Sequence, residues 1–175
     1  MVYPRLNGRE GWAISPRPLG YFTVKGGLKV RATWALGPKY ALERKWNAKH
    51  LDLSLDFDEY EIEADPELLK EVWINLLDNA VKFAPEYGLI RVTIQTGSES
   101  IRVAVSNTGS TIPPEKRDRI FQKFYQADES HATQGNGVGL AIVKKVVELH
   151  QGQVHVGCDE NSTTFTVVLP CFIDG

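Results

Sequence analysis

From about residue 42 onward the apolar positions fall into short, regular periods. In LDLSLDF, Leu51, Leu53, Leu55 and Phe57 alternate with Asp52, Ser54 and Asp56, which predicts a half-buried strand. The period then changes in ADPELLKEVWINLLDNAVKF. Asp65 suits an N-cap, Pro66 the first helical position and Glu67 the positive end of the helix dipole. A helix is therefore expected from Pro66 to about Phe83, stopped by Pro85 and Gly88. Period two returns in LIRVTIQTGSESIRVAVS, where Ile90, Val92 and Ile94, then Ile101, Val103 and Val105, alternate on two strands around a Gly97-Ser98 turn. PEKRDRIFQKF is expected to be a short helix with a proline near its start. A polar, glycine-bearing stretch, YQADESHATQGNG, reads as a long mobile loop. A helix follows from about Val138 to His150, with Gly152 as a left-handed cap. QVHVGC and TTFTVVLP are the last two strands, on either side of a DENS turn.

The first forty residues lack such periods. Pro4, Pro16, Pro18 and Pro38 interrupt any long element. Tyr21–Val24 and Leu28–Trp34 are candidate short strands, and a poorly ordered arm fits equally. These forty residues hold seven Lys/Arg against one Glu, whereas the rest holds thirteen against twenty-one Asp/Glu. Residues 1–41 are therefore set apart as an atypical basic segment, either solvated or a phosphate-binding tail, and residues 42–172 as the main domain. A chain of 175 residues can bury a sizeable core in one domain.

Composition narrows the classes further. A net charge of -2 gives no reason to expect a nucleic-acid partner. No apolar run approaches the roughly 18 residues of a membrane span, and the first residues lack the apolar core of a signal peptide. Cys158 and Cys171 have no metal-binding spacing, and Cys158 reads as a small core residue. A cytoplasmic, reducing setting is expected, with a longer parent protein free to be membrane-anchored.

The candidate chemistry lies in two places. QGNGVGLAIVKK carries Gly135, Gly137 and Gly139 just before a helix. It is not a P-loop, because Leu140 and Ala141 stand where Lys and Ser/Thr are needed. It is not a dinucleotide fingerprint either, because the spacing is GxGxG and no strand precedes it. Free amides at a helix start still favour an anion, and glycines let a phosphate come close to the backbone. A flexible hinge before an ordinary amphipathic helix has the same pattern. In the helix WINLLDNAVKF, Asn75, Asn79, Lys82 and Phe83 fall on one face, with Trp73, Leu76 and Ala80 left for packing. An asparagine oxygen is a hard ligand suited to Mg²⁺, and a lysine is a point charge for phosphate. A solvated polar stripe is the plain alternative.

Taken in order, NLLDNAVKF, SNTGSTIP, IFQKFYQAD and GNGVGLAIVKK resemble the ATP-binding catalytic domain of sensor histidine kinases, within the superfamily of gyrase-, Hsp90- and MutL-type ATPases (GHKL). The resemblance covers about Leu42 to Pro170. It implies a two-layer α/β sandwich: a mixed, mostly antiparallel sheet packed by helices on one face. It implies ATP and Mg²⁺ as cofactors. By motif position Asn79 coordinates the metal, Asn75 supports the phosphate region, Lys82 contacts phosphate and Phe83 flanks the adenine. Asn79 and Lys82 are thus the catalytic pair. Asn107 and Gly109 lie at the adenine pocket floor with Ile112 beneath the base, and Phe121 and Phe124 fasten the lid. Gly135, Gly137, Val138, Gly139 and Leu140 wrap the phosphates, and Thr163 reaches the adenine end. The implied partners are a histidine-bearing dimerisation domain and, downstream, a response regulator.

The match has three departures. Asn107 replaces the family's adenine-reading aspartate. Thr111 and Ser162 replace two glycines and are expected to narrow the pocket. No HExRTP-type histidine box is present; His50, His131, His150 and His155 all read as structural or solvated. Two alternatives follow. One is a stand-alone serine-kinase anti-sigma-type regulator, which a phosphorylated serine on a partner would reveal. The other is a degenerate nucleotide-binding or interaction module, which nucleotide affinity would separate.

Overall fold

The computed structural model describes residues 22–24, 27–31, 37–57, 61–125 and 137–171. Two short strands come first, β1 (Phe22–Val24) and β2 (Gly27–Arg31), close to the two candidate strands of the basic segment. Helix α1 (Gly37–Ala48) follows, then β3 (Asp52–Phe57), β4 (Glu61–Glu63) and α2 (Pro66–Phe83). The hairpin β5 (Leu89–Thr96) and β6 (Ser100–Thr108) precedes α3 (Gly139–Leu149), and β7 (Gln153–Cys158) and β8 (Ser162–Pro170) close the chain.

The main sheet has the order β3-β5-β6-β8-β7. Only β3 and β5 run parallel; every other neighbouring pair is antiparallel. A small antiparallel sheet, β1-β2-β4, was not foreseen as a separate unit. Alternation on β6 and β8 buries one set of side chains, including Ile101, Val103, Val105, Phe165, Val167 and Leu169. Helices α2 and α3 cover that face with Leu69, Val72, Trp73, Leu76, Val143 and Val147, all nearly inaccessible. Burying each large apolar side chain contributes about 1.5–3 kcal/mol, so the sandwich rests on this layer. The mixed sheet with helices is the expected α/β fold.

Helix α2 begins as its sequence dictates. The Asp65 carboxylate accepts from the Glu67 and Leu68 amides at 3.0 and 3.1 Å, and Pro66 opens the helix. Its far end is held by a residue that the periodicity did not single out. Lys49 Nζ donates to the carbonyls of Val81, Lys82 and Ala84 at 2.9, 2.8 and 2.8 Å. A cation there satisfies carbonyls that have no helical partner and offsets the negative end of the dipole.

Three expectations require correction. Pro38 does not interrupt an element; it lies in the first turn of α1, where a missing N–H costs nothing. That helix is anchored by Leu42 and Trp46, four residues apart and buried, and by Lys45, which pairs with Asp78 of α2 at 2.5 Å. PEKRDRIFQKF forms no α-helix but two 3₁₀ turns, Pro114–Lys116 and Arg119–Phe121. Ile120 is its only fully buried side chain, so no apolar stripe is available to hold longer helix against the core. The left-handed residue after α3 is Gln151 (φ 57°), not Gly152. Gly152 donates to Val147 and Gln151 to Glu148, the paired bonds of a Schellman ending. Gly152 serves close approach instead: a β-carbon there would stand 2.5 Å from the Val168 carbonyl oxygen.

Candidate functional site

The site is framed by α2, the start of α3 and the ends of β6, β7 and β8. On α2, the Asn75 amide group donates to the Glu71 carbonyl at 2.8 Å. Its oxygen presses against α3: a β-carbon on Gly139 would meet Asn75 Oδ1 at 2.5 Å. The spacing of two helices at the site therefore depends on a glycine. One turn further along, Asn79 is half-buried and its carboxamide makes no hydrogen bond among the described residues. Lys82 is half-buried too, with its ammonium 5.0 Å from the centre of the Phe83 ring. Asn75, Asn79 and Lys82 thus line one side of α2, while Trp73, Leu76 and Ala80 are buried as the spacing required.

Helix α3 starts with no side-chain cap. Its first helical bond is from Ile142 to Val138, so the amides of Gly139, Leu140 and Ala141 have no partner within the helix. An anion fits there, and Asn75 brings the α2 stripe alongside. Gly137, with φ 65°, accepts from the Phe124 amide at 2.9 Å. A β-carbon on Gly137 would come within 3.0 Å of the Phe124 and Tyr125 backbone. That tie is made by main chain, and the Phe124 side chain is 77% exposed. Phe121 does pack inward, edge-on to Phe165 with ring centres 6.4 Å apart. Gly135 and His131 lie outside the described residues.

At the other wall, Asn107 on β6 and Thr163 on β8 are register partners and are the two buried polar side chains among the described residues. Asn107 Nδ2 donates to the Thr108 carbonyl at 3.1 Å, and its Oδ1 has no hydrogen bond among the described residues. The following loop turns at Gly109, whose φ of 112° favours glycine and whose β-carbon would stand 2.7 Å from Pro85 Cδ. Thr163 Oγ1 donates to the Ser110 carbonyl at 2.7 Å, and Gly109 N–H donates to Asn161 at 2.8 Å. Ile112 is partly buried against the core. Thr111 is exposed, and the Ser162 hydroxyl is given to Asp159 at 2.6 Å in the β7–β8 turn.

Sequence reasoning missed one member of this wall. Cys158, assigned to the core, is only half-buried, and its sulfur accepts from the Ile112 amide at 3.3 Å. Its register partner is Thr163, and that pairing of β7 with β8 was the available signal. The described histidines are all engaged elsewhere. His50 stacks on Tyr87 at 5.1 Å, and His155 lies 3.3 Å from Gln153 Oε1. His150 accepts from the Asp65 amide through Nε2 at 3.1 Å, which makes Nδ1 the donor to Val146. A cleft of about 290 Å³ beside Ile62, Leu149 and His150 lies at the opposite end of α3 and shares no residue with the site.

The sequence profile described as "Histidine kinase-, DNA gyrase B-, and HSP90-like ATPase" matches residues 64–172, well over half of the chain. The chain belongs to this ATPase family. The sensor histidine kinase CusS of Escherichia coli O6:H1 is 40% identical over 115 residues, 65% of this chain and 24% of that protein. The adaptive-response sensory kinase SasA of Gloeothece citriformis is 39% identical over 111 residues, 62% of this chain and 28% of that protein. The chain spans about a quarter of the length of these relatives. The catalytic domain of the histidine kinase ThkA superposes with a TM-score of 0.73 at 28% identity, covering 82% of this chain and 97% of that one. ThkA in complex with the response regulator protein TrrA gives 0.71 at 26% identity, covering 83% of this chain and 42% of that one. The fold is that of a histidine kinase catalytic domain. No helix among the described residues is long and apolar enough to cross a membrane.

The residues of this ATPase domain fit a Mg-nucleotide. The amides at the start of α3, with no partner among the described residues, suit phosphate, and the Asn107 carboxamide oxygen, with no hydrogen bond among the described residues, suits a base amino group. No cluster of three or more His, Cys, Asp or Glu able to hold a metal is present among the described residues. The Asn79 carboxamide oxygen would be a hard ligand of the kind accepted by an ion that keeps most of its waters.

Proposed function

We propose that residues 42–172 are the Mg-ATP-binding catalytic domain of a two-component sensor histidine kinase, which delivers the γ-phosphoryl group to a histidine on a separate dimerisation domain. One observation carries this reading: the uncapped start of α3 abuts the Asn75–Asn79–Lys82 stripe of α2, through Asn75 and Gly139. A phosphate-sized anion held there meets helix amides on one side and a lysine and an asparagine on the other. Bound Mg-ATP supplies the phosphoryl group and offsets the charge that develops as it leaves. The chain's own part is positioning. Asn79 presents the metal ligand, Lys82 holds phosphate charge, Asn75 sets the gap between the helices, and the α3 amides orient the phosphates. Asn107 accepts from the adenine amino group, with Ile112 beneath the base and Phe83 at its flank.

His50, His150 and His155 have structural partners, which supports a phosphoacceptor on another domain. ThkA is seen with a response regulator, which supports transfer onward to an aspartate of such a protein. The test is calorimetric titration of the folded chain with ADP, with and without Mg²⁺, followed by ATP transfer to an added histidine-bearing dimerisation domain. Binding that tightens with Mg²⁺, followed by histidine phosphorylation, is expected. Absence of binding on a folded sample overturns the reading, and serine phosphorylation of a partner replaces it with the regulator class.

A further inference from the structure

We propose that Cys158 is a positioning residue for the base end of the site, holding the Ser110–Ile112 loop through its sulfur; this rests on the nucleotide reading above. The argument is one of hydrogen bookkeeping. Thr163 has a single hydroxyl hydrogen and gives it to the Ser110 carbonyl at 2.7 Å. Toward the Cys158 sulfur, 3.4 Å away, it can therefore only accept. The thiol hydrogen points at Thr163, and the sulfur lone pairs are left for the Ile112 amide, which donates at 3.3 Å. The result is a directed chain from Ile112 N–H to sulfur, from S–H to the threonine oxygen, and from that hydroxyl to Ser110. Its two ends lie two residues apart on the same loop, and its middle is anchored on β7 and β8.

This loop connects the two features read as contacting the base. Asn107 precedes it, one strand away from Thr163 and two from Cys158 in the same register row. Ile112 ends it, and Arg117 Nε donates to the Ile112 carbonyl at 3.1 Å, so the residue is held at both its amide and its carbonyl. A purely apolar residue at 158 would satisfy the alternation of β7 but would leave the Ile112 amide without its acceptor. Asn107 and Thr163, the two buried polar side chains among the described residues, face each other across β6 and β8, so the Cys158–Thr163 link joins the strand pair that carries Asn107.

The test compares Cys158→Ala with Cys158→Ser. Alanine removes donor and acceptor; serine keeps both. In the nucleotide-free chain the Ile112 amide is expected to exchange with solvent faster in the alanine variant and at close to the original rate in the serine variant. Adenosine and ADP are expected to weaken by the same factor in the alanine variant, about three- to tenfold, because the loss is at the base end, and serine is expected to restore both. A role in packing alone predicts no rescue by serine. Should the alanine variant fail to fold, methyl methanethiosulfonate on a Cys171→Ser background replaces it. The Cys158 sulfur then bonds to S–CH₃, methanesulfinate leaves, and the thiol hydrogen is lost. Unchanged Ile112 exchange after either treatment overturns the proposal. If the unmodified chain binds neither ligand, the nucleotide reading falls, while exchange at Ile112 still decides whether Cys158 holds the loop.

Discussion

Asn75 Oδ1 stands 2.5 Å from the place a β-carbon on Gly139 would occupy, so the two helices of the site meet through an asparagine and a missing side chain. Asn75 cannot swing aside freely, because its amide nitrogen is bonded to the Glu71 carbonyl of its own helix. The start of α3 is thereby held against α2 at one separation.

Gly139→Ala tests this contact. In an isolated helix, alanine gains about 0.8–1.0 kcal/mol over glycine. Here the added methyl must push Asn75 or α3 away, and overpacking of this kind costs about 1–3 kcal/mol. A net loss of stability in urea unfolding is expected. Asn75→Ala combined with Gly139→Ala is expected to recover most of it, giving a coupling energy well outside additivity. Additive losses would show that the two side chains do not meet.

Much of this arrangement was legible in the sequence, for reasons of period and capping. The Asp65-Pro66-Glu67 start and the two-residue alternation of β5, β6, β7 and β8 are local signals, and each element formed within a residue or two of its expected bounds. What escaped is non-local. Lys49 looks like any surface lysine until α1 lies beside the end of α2. Among its described side chains helix α1 has two buried apolar anchors, Leu42 and Trp46, and its proline was mistaken for a break. Cys158 takes part in the site only because β7 pairs with β8. The two 3₁₀ turns at Pro114–Phe121 failed as a helix because burial is limited to Ile120, which depends on the tertiary packing.

Lys49→Met keeps the aliphatic stem and deletes the ammonium. Three carbonyls at the end of α2 then lose their donor. Hydrogen bonds to a charged group contribute about 1.5–3 kcal/mol, and a loss in that range is expected on urea unfolding. Amide exchange is expected to rise at the last turn of α2 before it rises elsewhere. Uniform exchange across the chain would count against a capping role.

Asp159 gives an acid-limb prediction. The Ser162 hydroxyl first, and then the Asn161 amide, hold its carboxyl below the ordinary aspartate value, with burial opposing weakly. A depressed folded pKa means the unfolded chain binds the proton more readily. The contribution is thus present above the unfolded pKa and is lost as pH falls through the folded one. Asp159→Asn is expected to flatten the stability curve on its acid side, and NMR titration of the carboxyl is expected to show the lowered value. An unshifted titration would remove the effect.

Asn79→Ala is expected to abolish the gain in ADP affinity that Mg²⁺ confers while leaving the fold intact, because the Asn79 carboxamide has no hydrogen bond to lose among the described residues. Lys82→Ala is expected to weaken ATP more than adenosine, since it removes a phosphate contact and none to the base. Calorimetry with the three ligands separates the two roles. Equal losses for ATP and adenosine would contradict the placement of Lys82.

Asn107→Asp restores the residue that is usual in the resembling family, and the structure gives the change a cost. Asn107 Nδ2 donates to the Thr108 carbonyl at 3.1 Å, a bond that a carboxylate cannot make. A charge at a position 2% exposed would also face that carbonyl oxygen. Leaving a buried polar group unpaired costs about 1–3 kcal/mol, so the nucleotide-free variant is expected to melt at a lower temperature. A carboxylate is the stronger acceptor for an adenine amino group, because charge-assisted hydrogen bonds are roughly twice as strong as neutral ones. The variant is therefore expected to gain more thermal stability from saturating ADP than the original chain does, through its tighter binding. Melting curves at matched ADP concentrations decide the matter. A variant as stable as the original without nucleotide would show that the Asn107–Thr108 bond does not hold the apo wall. A smaller ADP-induced rise would show that residue 107 does not meet the base.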